Sequence, residues 1–202
     1  MTIIKILNIL KDWFEENVCN KIELKLPPVD DVADCEDYFY RLGHPACFTN
    51  SIPSADELPP GKYNTPCALI EFVSGEDGIA DKLGKMDILI FFSVWNTGTH
   101  GFDFFGKLRE EKKGTFQKDE SGWIDVLNFV DIARVQLKKA TTFNMPDNEE
   151  SIIMIDKGTP ITFGYYTENN TPLPHPYWGA WIKFRINYKI TGDTGGGDFL
   201  YG

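Results

Sequence analysis

The sequence predicts an α+β fold: a mainly antiparallel sheet with helices packed on one face, plus a long proline-rich acidic insertion. Two segments carry apolar residues at steps of three and four, the period of an amphipathic helix. Several others alternate along the chain with the period of two that a strand requires. The connections between paired strands are short, which favours antiparallel hairpins over parallel crossovers. The predicted order is helix, two strands, helix, two strands, with insertions.

Two helices are predicted. The first begins the chain, and its apolar positions are Ile3, Ile6, Leu7, Leu10, Phe14 and Val18. The second starts near Ser121, a residue type that caps helices, and ends at Lys138 and Lys139, whose charges suit the helix dipole. Its stripe comprises Trp123, Val126, Leu127, Val130, Arg134 and Leu137, widened by Phe129 and Ile132.

Strands are predicted between and after the helices. A short strand or arm falls at Ile22 to Leu26, and a longer strand at Ala68 to Val73, followed by a turn-rich stretch to Gly84. The next strand, Met86 to Trp95, is apolar on both faces, which is typical of a central strand. Short strands are predicted at residues 152–155 and 160–166. The last strand, Ala180 to Ile190, has one buried and one cationic face.

The predicted domain spans residues 1–190, because 202 residues that are 42% hydrophobic can bury one substantial core. Residues 27–66 interrupt it with more than half of the twelve prolines. Between positions 27 and 60 stand seven acidic residues and one cation, Arg41. Little regular structure is expected there, except a helical turn near Asp37 to Leu42. Residues 191–202 predict a flexible glycine-rich tail.

Charge, hydropathy and cysteine spacing together argue against several classes of function. A formal charge of −10 disfavours a duplex-binding protein, which needs cations to displace counterions from phosphates. The longest apolar runs are far below the roughly 20 residues of a membrane span. The charged first helix does not resemble a signal peptide, so synthesis in the cytoplasm is expected. Four widely spaced cysteines are consistent with reduced thiols.

The sequence predicts no enzyme and no cofactor, because it carries no recognised nucleophile, metalloprotease or kinase motif. The strongest chemical set is Cys35, His44, Cys47 and Cys67, whose ligand types suit tetrahedral zinc. Only His44 and Cys47 are closely spaced, so the prediction is no metal, with zinc as the alternative. The acids between Asp30 and Asp37 predict a solvated face. His175 is expected to pack near Trp178, and Asp131 is expected to pair with Arg134.

Three groups are predicted to take part in interactions; two of them are aromatic or apolar, and aromatic anchors dominate protein interfaces. The first lies in a glycine-punctuated loop, the second on the polar face of the last strand, and the third at the tip of the tail. They are Phe102, Phe104 and Phe105; Lys183 and Arg185; and Phe199, Leu200 and Tyr201.

Five features together resemble a known family. They are the opening helix, the strand 66–71, the long strand ending Val94-Trp95-Asn96, the helix with Trp123, Asp125, Asn128, Asp131, Arg134 and Leu137, and the closing strand from Tyr177-Trp178. In this order the sequence resembles bacteriophage tail terminators, also described as minor tail or tail-completion proteins. The resemblance covers the first helix and residues 66–190.

The resemblance implies a small α+β sheet with helices on one face and a homohexameric ring. Such a ring caps the tail tube and meets the neck, while DNA passes through it without specific binding. It therefore implies a structural virion protein of the tail–neck region, assembled in the cytoplasm of the bacterial host. Its expected partners are the tail tube protein and neck or connector proteins, with no membrane. The alternatives are a head–tail connector or adaptor of the neck, a small metal-dependent enzyme and a peptide-binding module.

Overall fold

A computed structural model describes residues 2–27, 41–58, 63–78, 83–100, 116–117, 121–143, 153–168 and 171–189. Two α-helices lie within these ranges, α1 (Ile3–Asn17) and α2 (Ser121–Lys139). Single turns of 3₁₀ helix occupy Cys19–Lys21 and Ala55–Glu57. No helix in the described part of the chain is long and apolar enough to cross a membrane.

The strands of the described residues follow in chain order. They are β1 (Leu24–Lys25), β2 (Leu42–Gly43), β3 (Ala46–Thr49), β4 (Cys67–Asp77), β5 (Leu83–Trp95), β6 (Thr99–His100), β7 (Phe116–Gln117), β8 (Thr142–Phe143), β9 (Ile153–Ile155), β10 (Thr162–Tyr165), β11 (Thr167–Glu168), β12 (Thr171–Pro172) and β13 (Tyr177–Lys189).

The main sheet has the order β3-β4-β5-β13-β9-β8, and β10 also pairs with β13. β3 runs parallel to β4, and the other pairings are antiparallel. The long strands β5 and β13 pair along their whole length, from Leu83 opposite Lys189 to Trp95 opposite Tyr177. The predicted α+β class and the central place of β5 are confirmed.

The core lies between one face of this sheet and the two helices. The inward residues of β5, from Met86 to Val94, and of β13, from Ala180 to Tyr188, join the buried residues of both helices in one apolar cluster. On α2, Phe129 is fully buried and meets Phe92 edge to face at 4.7 Å between ring centroids. The predicted apolar stripe is confirmed except at Leu127, which is 38% exposed.

Two local predictions are wrong. Ser121 is the first residue of α2, not the cap before it. β4 continues through the expected turn to Asp77, past a bulge at Val73 that moves Ser74 opposite Asp87. A bulge lets a strand continue after one unpaired residue, which is why polar Ser74–Asp77 still pair.

The insertion also contains more regular structure than predicted. β2 pairs with β1, and Leu42 therefore lies in a strand rather than at the end of a helical turn. β3 joins the main sheet with Cys47 opposite Ala68, so part of residues 27–66 forms an edge strand of that sheet. The rest of the predicted helical turn, residues 37–40, lies outside the described residues.

Candidate interaction surface

The sheet face opposite the helices carries side chains in rows that cross the strands. In one row, Leu69 of β4 lies opposite Phe91 of β5, which lies opposite Trp181 of β13. The next row holds Glu71, Leu89 and Lys183, and the one after it holds Ser74, Asp87 and Arg185. The outer face therefore changes from apolar at the Tyr177 end of β13 to charged toward the Lys189 end.

The apolar end forms a groove of about 700 Å³. Its apolar lining includes Leu69, Leu89, Phe91, Leu173, Tyr177 and Trp181. The floor is fixed by contacts, because Trp181 Nε1 donates to the carbonyl of Tyr165 at 3.1 Å and Phe91 meets Tyr166 at 4.7 Å between centroids. We call this feature the outer groove, and it is open to solvent.

The charged end is organised around Asp87. Arg185 Nε donates to Asp87 Oδ1 at 2.7 Å, Lys183 Nζ lies 3.3 Å from Oδ2, and Ser74 Oγ donates to Oδ2 at 3.3 Å. The hydrogen bond from Arg185, with the neighbouring Lys183, lowers the pKa of Asp87 to about 2. The carboxylate is therefore ionised at neutral pH and neutralises part of the cationic face predicted for β13.

Replacing Asp87 with asparagine is expected to lower the free energy of unfolding at pH 7 by about 1 kcal/mol. Lys183 and Arg185 are partly exposed, so screening reduces what the pKa shift alone implies. The stabilisation is present above the ordinary pKa near 4 and is lost as the pH falls toward 2, where the carboxylate protonates in the folded state. Urea unfolding at several pH values measures it.

Asp131→Asn is the matched control, because Asp131 pairs with Arg134 on the exposed surface of α2. It should change stability by less than about 0.5 kcal/mol at any pH. If the difference between wild type and Asp87→Asn stayed constant from pH 7 to pH 2, ionisation of Asp87 would not be its source.

A second polar cluster ties together the ends of several elements. Asn96, only 1% exposed, follows β5 and accepts from Lys25 Nζ at 2.8 Å through Oδ1. Its Nδ2 donates to Asp125 of α2 at 2.6 Å, and its carbonyl accepts from Trp178 Nε1 at 2.9 Å. We call these four residues the Asn96 cluster. It connects β1, β5, α2 and β13.

The Asn96 cluster lies next to the start of residues 101–115, the segment that contains the predicted interaction residues Phe102, Phe104 and Phe105. Gly98 donates its N–H to Asn96 Oδ1 at 2.8 Å and has a positive φ of 118°, a conformation that favours glycine. The chain then enters β6, which pairs with β7 and so closes the segment 101–115 at its base. Phe102, Phe104 and Phe105 themselves lie outside the described residues.

The other predicted interaction residues divide in two. Lys183 and Arg185 lie on the outer face and are joined by Asp87, so they are one patch rather than two free cations. Phe199, Leu200 and Tyr201 lie outside the described residues. The predicted Asp131–Arg134 pair is confirmed, and the Arg134 guanidinium also lies 3.8 Å from the centroid of Phe163.

Of the alternative zinc set, the described residues bring Cys47 and Cys67 onto the neighbouring strands β3 and β4, but no complete site is formed among them. His44 Nδ1 bonds to the carbonyl oxygen of Ile22 at 2.8 Å, and Cys35 lies outside the described residues. Within the described ranges no three His, Cys, Asp or Glu residues lie close enough to hold a metal. Burial raises the pKa of Cys67 to about 12, and the hydrogen bond with Cys47 raises that of Cys19. Both thiols are therefore protonated at neutral pH in the metal-free protein, and Cys19 is not part of the predicted set.

His175 lies where the sequence predicts. Its ring meets Trp178 edge to face at 6.3 Å between centroids, and Nε2 lies 3.3 Å from the carbonyl oxygen of Thr97. Since its neighbours are an indole and a backbone carbonyl, the geometry suits packing between the starts of β6 and β13 rather than acid–base chemistry.

Sequence reasoning missed the outer groove and the Asn96 cluster. The groove had a visible signal, because Leu89 and Phe91 make the second face of β5 apolar. The same pattern is typical of any central strand, so it does not by itself indicate a groove. The Asn96 cluster has no local signal, because Lys25, Asn96, Asp125 and Trp178 are far apart in the sequence and only the fold brings them together.

No protein-family model matches the sequence, and no curated protein matches it at a significant level.

Proposed function

We propose that this protein is a non-catalytic structural subunit of a bacteriophage tail, and that six copies close into a ring that terminates the tail tube and joins it to the neck. In this role it belongs to the tail–neck region of the virion and is assembled in the bacterial host cytoplasm. The tail tube protein and a neck or connector protein are its partners.

The observation that carries the proposal is the outer face of the sheet. Both helices cover one face, while the opposite face presents the outer groove beside the Asp87 patch. A ring is built from a surface of one subunit against a different surface of the next. An apolar groove bordered by fixed charges suits such a contact, because apolar area contributes binding energy and the charges set orientation.

A second feature that supports a ring subunit is the segment 101–115. The β6–β7 pairing holds its two ends together, and the Asn96 cluster fixes that base to the sheet and to α2. Phe102, Phe104 and Phe105, the residues predicted to interact, belong to this segment, and we propose that they supply the second surface of the ring contact. The formal charge of −10 also suits a DNA conduit, since a mostly anionic wall does not retain the phosphate backbone.

The proposal is tested with the purified full-length protein and polymerising tail tube protein. Added during polymerisation, the protein should shorten the tubes in proportion to its concentration, and a gold label on it should mark one tube end in electron micrographs. Labels along the tube wall, or unchanged tube lengths, would contradict the proposal. Labels only on isolated necks or connectors would favour the neck adaptor instead.

A further inference from the structure

We infer that the outer groove binds the apolar segment Phe199-Leu200-Tyr201 of the neighbouring copy of this chain. The inference rests on the proposed ring, and it assigns one of the contacts between adjacent subunits. The partner is thus a second copy of the same protein, recognised by three consecutive apolar side chains.

The groove has the chemistry to receive them. Leu69, Phe91 and Trp181 form a continuous apolar row across three strands, and Tyr177, 43% exposed, extends it. The volume of the outer groove, about 700 Å³, lies within the size range of pockets that enclose small ligands. A groove of this size accommodates a few large side chains. Pockets lined by fixed aromatic residues are the usual sites of interface anchors.

The charges beside the groove suit the residue that precedes the apolar segment. Asp198 directly precedes Phe199. Leu89, at the charged side of the groove, has Lys183 as its neighbour on β13 and Glu71 as its neighbour on β4. An acidic residue at this side of the groove lies beside Lys183, which remains 40% exposed in its pair with Asp87.

The length of the intervening chain favours a neighbouring copy over the chain's own groove. From Lys189 back to Trp181 is eight residues of strand, about 27 Å at 3.4 Å per residue. From Lys189 to Phe199 is ten residues that include Gly195–Gly197, and a glycine-rich chain of that length spans roughly 17 Å on average. Reaching its own groove would stretch the segment, whereas a ring places another groove beside each subunit.

Photo-crosslinking in the full chain tests the inference. With p-benzoylphenylalanine in place of Tyr201, irradiation should join separate chains, and mass spectrometry should locate the bond on groove residues. Mixing isotopically heavy and light chains should give heavy–light products, which establish that the bond is between copies. Bonds within one chain only, or bonds outside the groove, would overturn the inference.

Two leucines of β5 provide a matched pair of variants. Leu89→Glu places a carboxylate in the groove, whereas Leu83→Glu makes the same change on the same strand, where Leu83 is 46% exposed and outside the groove. Leu89→Glu should reduce crosslinking at least about tenfold, because the new carboxylate pairs with Lys183, repels Asp198 and removes apolar surface that the occupant would cover. Leu83→Glu should leave it unchanged. Circular dichroism establishes that both variants are folded.

The failure of this inference is distinct from the failure of the proposed function. If the wild-type protein forms closed rings but the crosslinks lie elsewhere, the groove does not hold the segment although the ring exists. If the protein forms no ring and no tail contact, the proposed function fails, and crosslinks between copies in the groove would then still establish the contact itself. Equal crosslinking of both leucine variants overturns the inference in either case.

Discussion

Replacing Phe129 with alanine is expected to lower the free energy of unfolding by about 3–5 kcal/mol, the largest effect of any single change considered. Phe129 is fully buried at the interface between α2 and the sheet and contacts Phe92 of the central strand. The substitution removes the aromatic ring and leaves a cavity that the two neighbouring elements fill only partly. Denaturant unfolding followed by circular dichroism measures the change.

Leu127→Ala is the control for that experiment. It lies two residues away on the same helix, and its side chain is 38% exposed. Its loss should be well below that of Phe129, at about 1 kcal/mol or less. Similar losses for the two variants would mean that α2 does not cover the sheet through the face described.

Replacing Asn96 with alanine is expected to lower the free energy of unfolding by about 2–4 kcal/mol. The change removes the acceptor of Lys25 and Gly98 and the donor to Asp125 from a site that is 1% exposed. Lost hydrogen bonds to charged groups in a buried site are costly because water does not replace them fully. Thermal and urea unfolding measure the loss.

Asn128→Ala is the matched control, because Asn128 lies on the exposed side of α2. It should alter stability by no more than about 0.5 kcal/mol.

A second variant, Asn96→Asp, keeps an oxygen for Lys25 but sets a carboxylate against Asp125. It should therefore be destabilised at pH 7 and partly recover as the pH falls and a carboxylate protonates. A neutral effect of Asn96→Ala would show that the cluster contributes little to the fold.

The elements with long local patterns could be predicted from the sequence. The steps of three and four residues in α1 and α2 and the alternation in β5 and β13 are repeated over many residues, because each element buries one face in the same core. Those patterns predict the α+β class, whereas the antiparallel character of the sheet is predicted from the short connections between strands. Local sequence also predicts the Asp131–Arg134 pair, since three residues bring them to adjacent turns of one helix.

The elements that depend on distant partners could not be predicted in this way. β3 has four residues and joins the sheet only by parallel pairing with β4, about twenty residues further along the chain. The proline-rich and acidic sequence around it is typical of a loop instead. The extension of β4 to Asp77 depends on a bulge and on the partner strand β5, neither of which has a local signal.

The same distinction explains what could be predicted of the candidate surface. Alternation within β13 is enough to predict that Lys183 and Arg185 lie on its polar face. Their partner Asp87 could not be predicted, because it lies almost a hundred residues earlier in the chain. The groove needs the register that sets Leu69, Phe91 and Trp181 side by side. Register between strands follows from pairing, and alternation within one strand does not determine it.

The measurement that tests the central claim most directly is the mass and symmetry of the purified full-length protein, by native mass spectrometry and electron microscopy. A closed ring with six-fold symmetry and six times the mass of one chain is the predicted result. A particle with the mass of one chain, at concentrations that allow assembly and in the presence of tail tube protein, would contradict it.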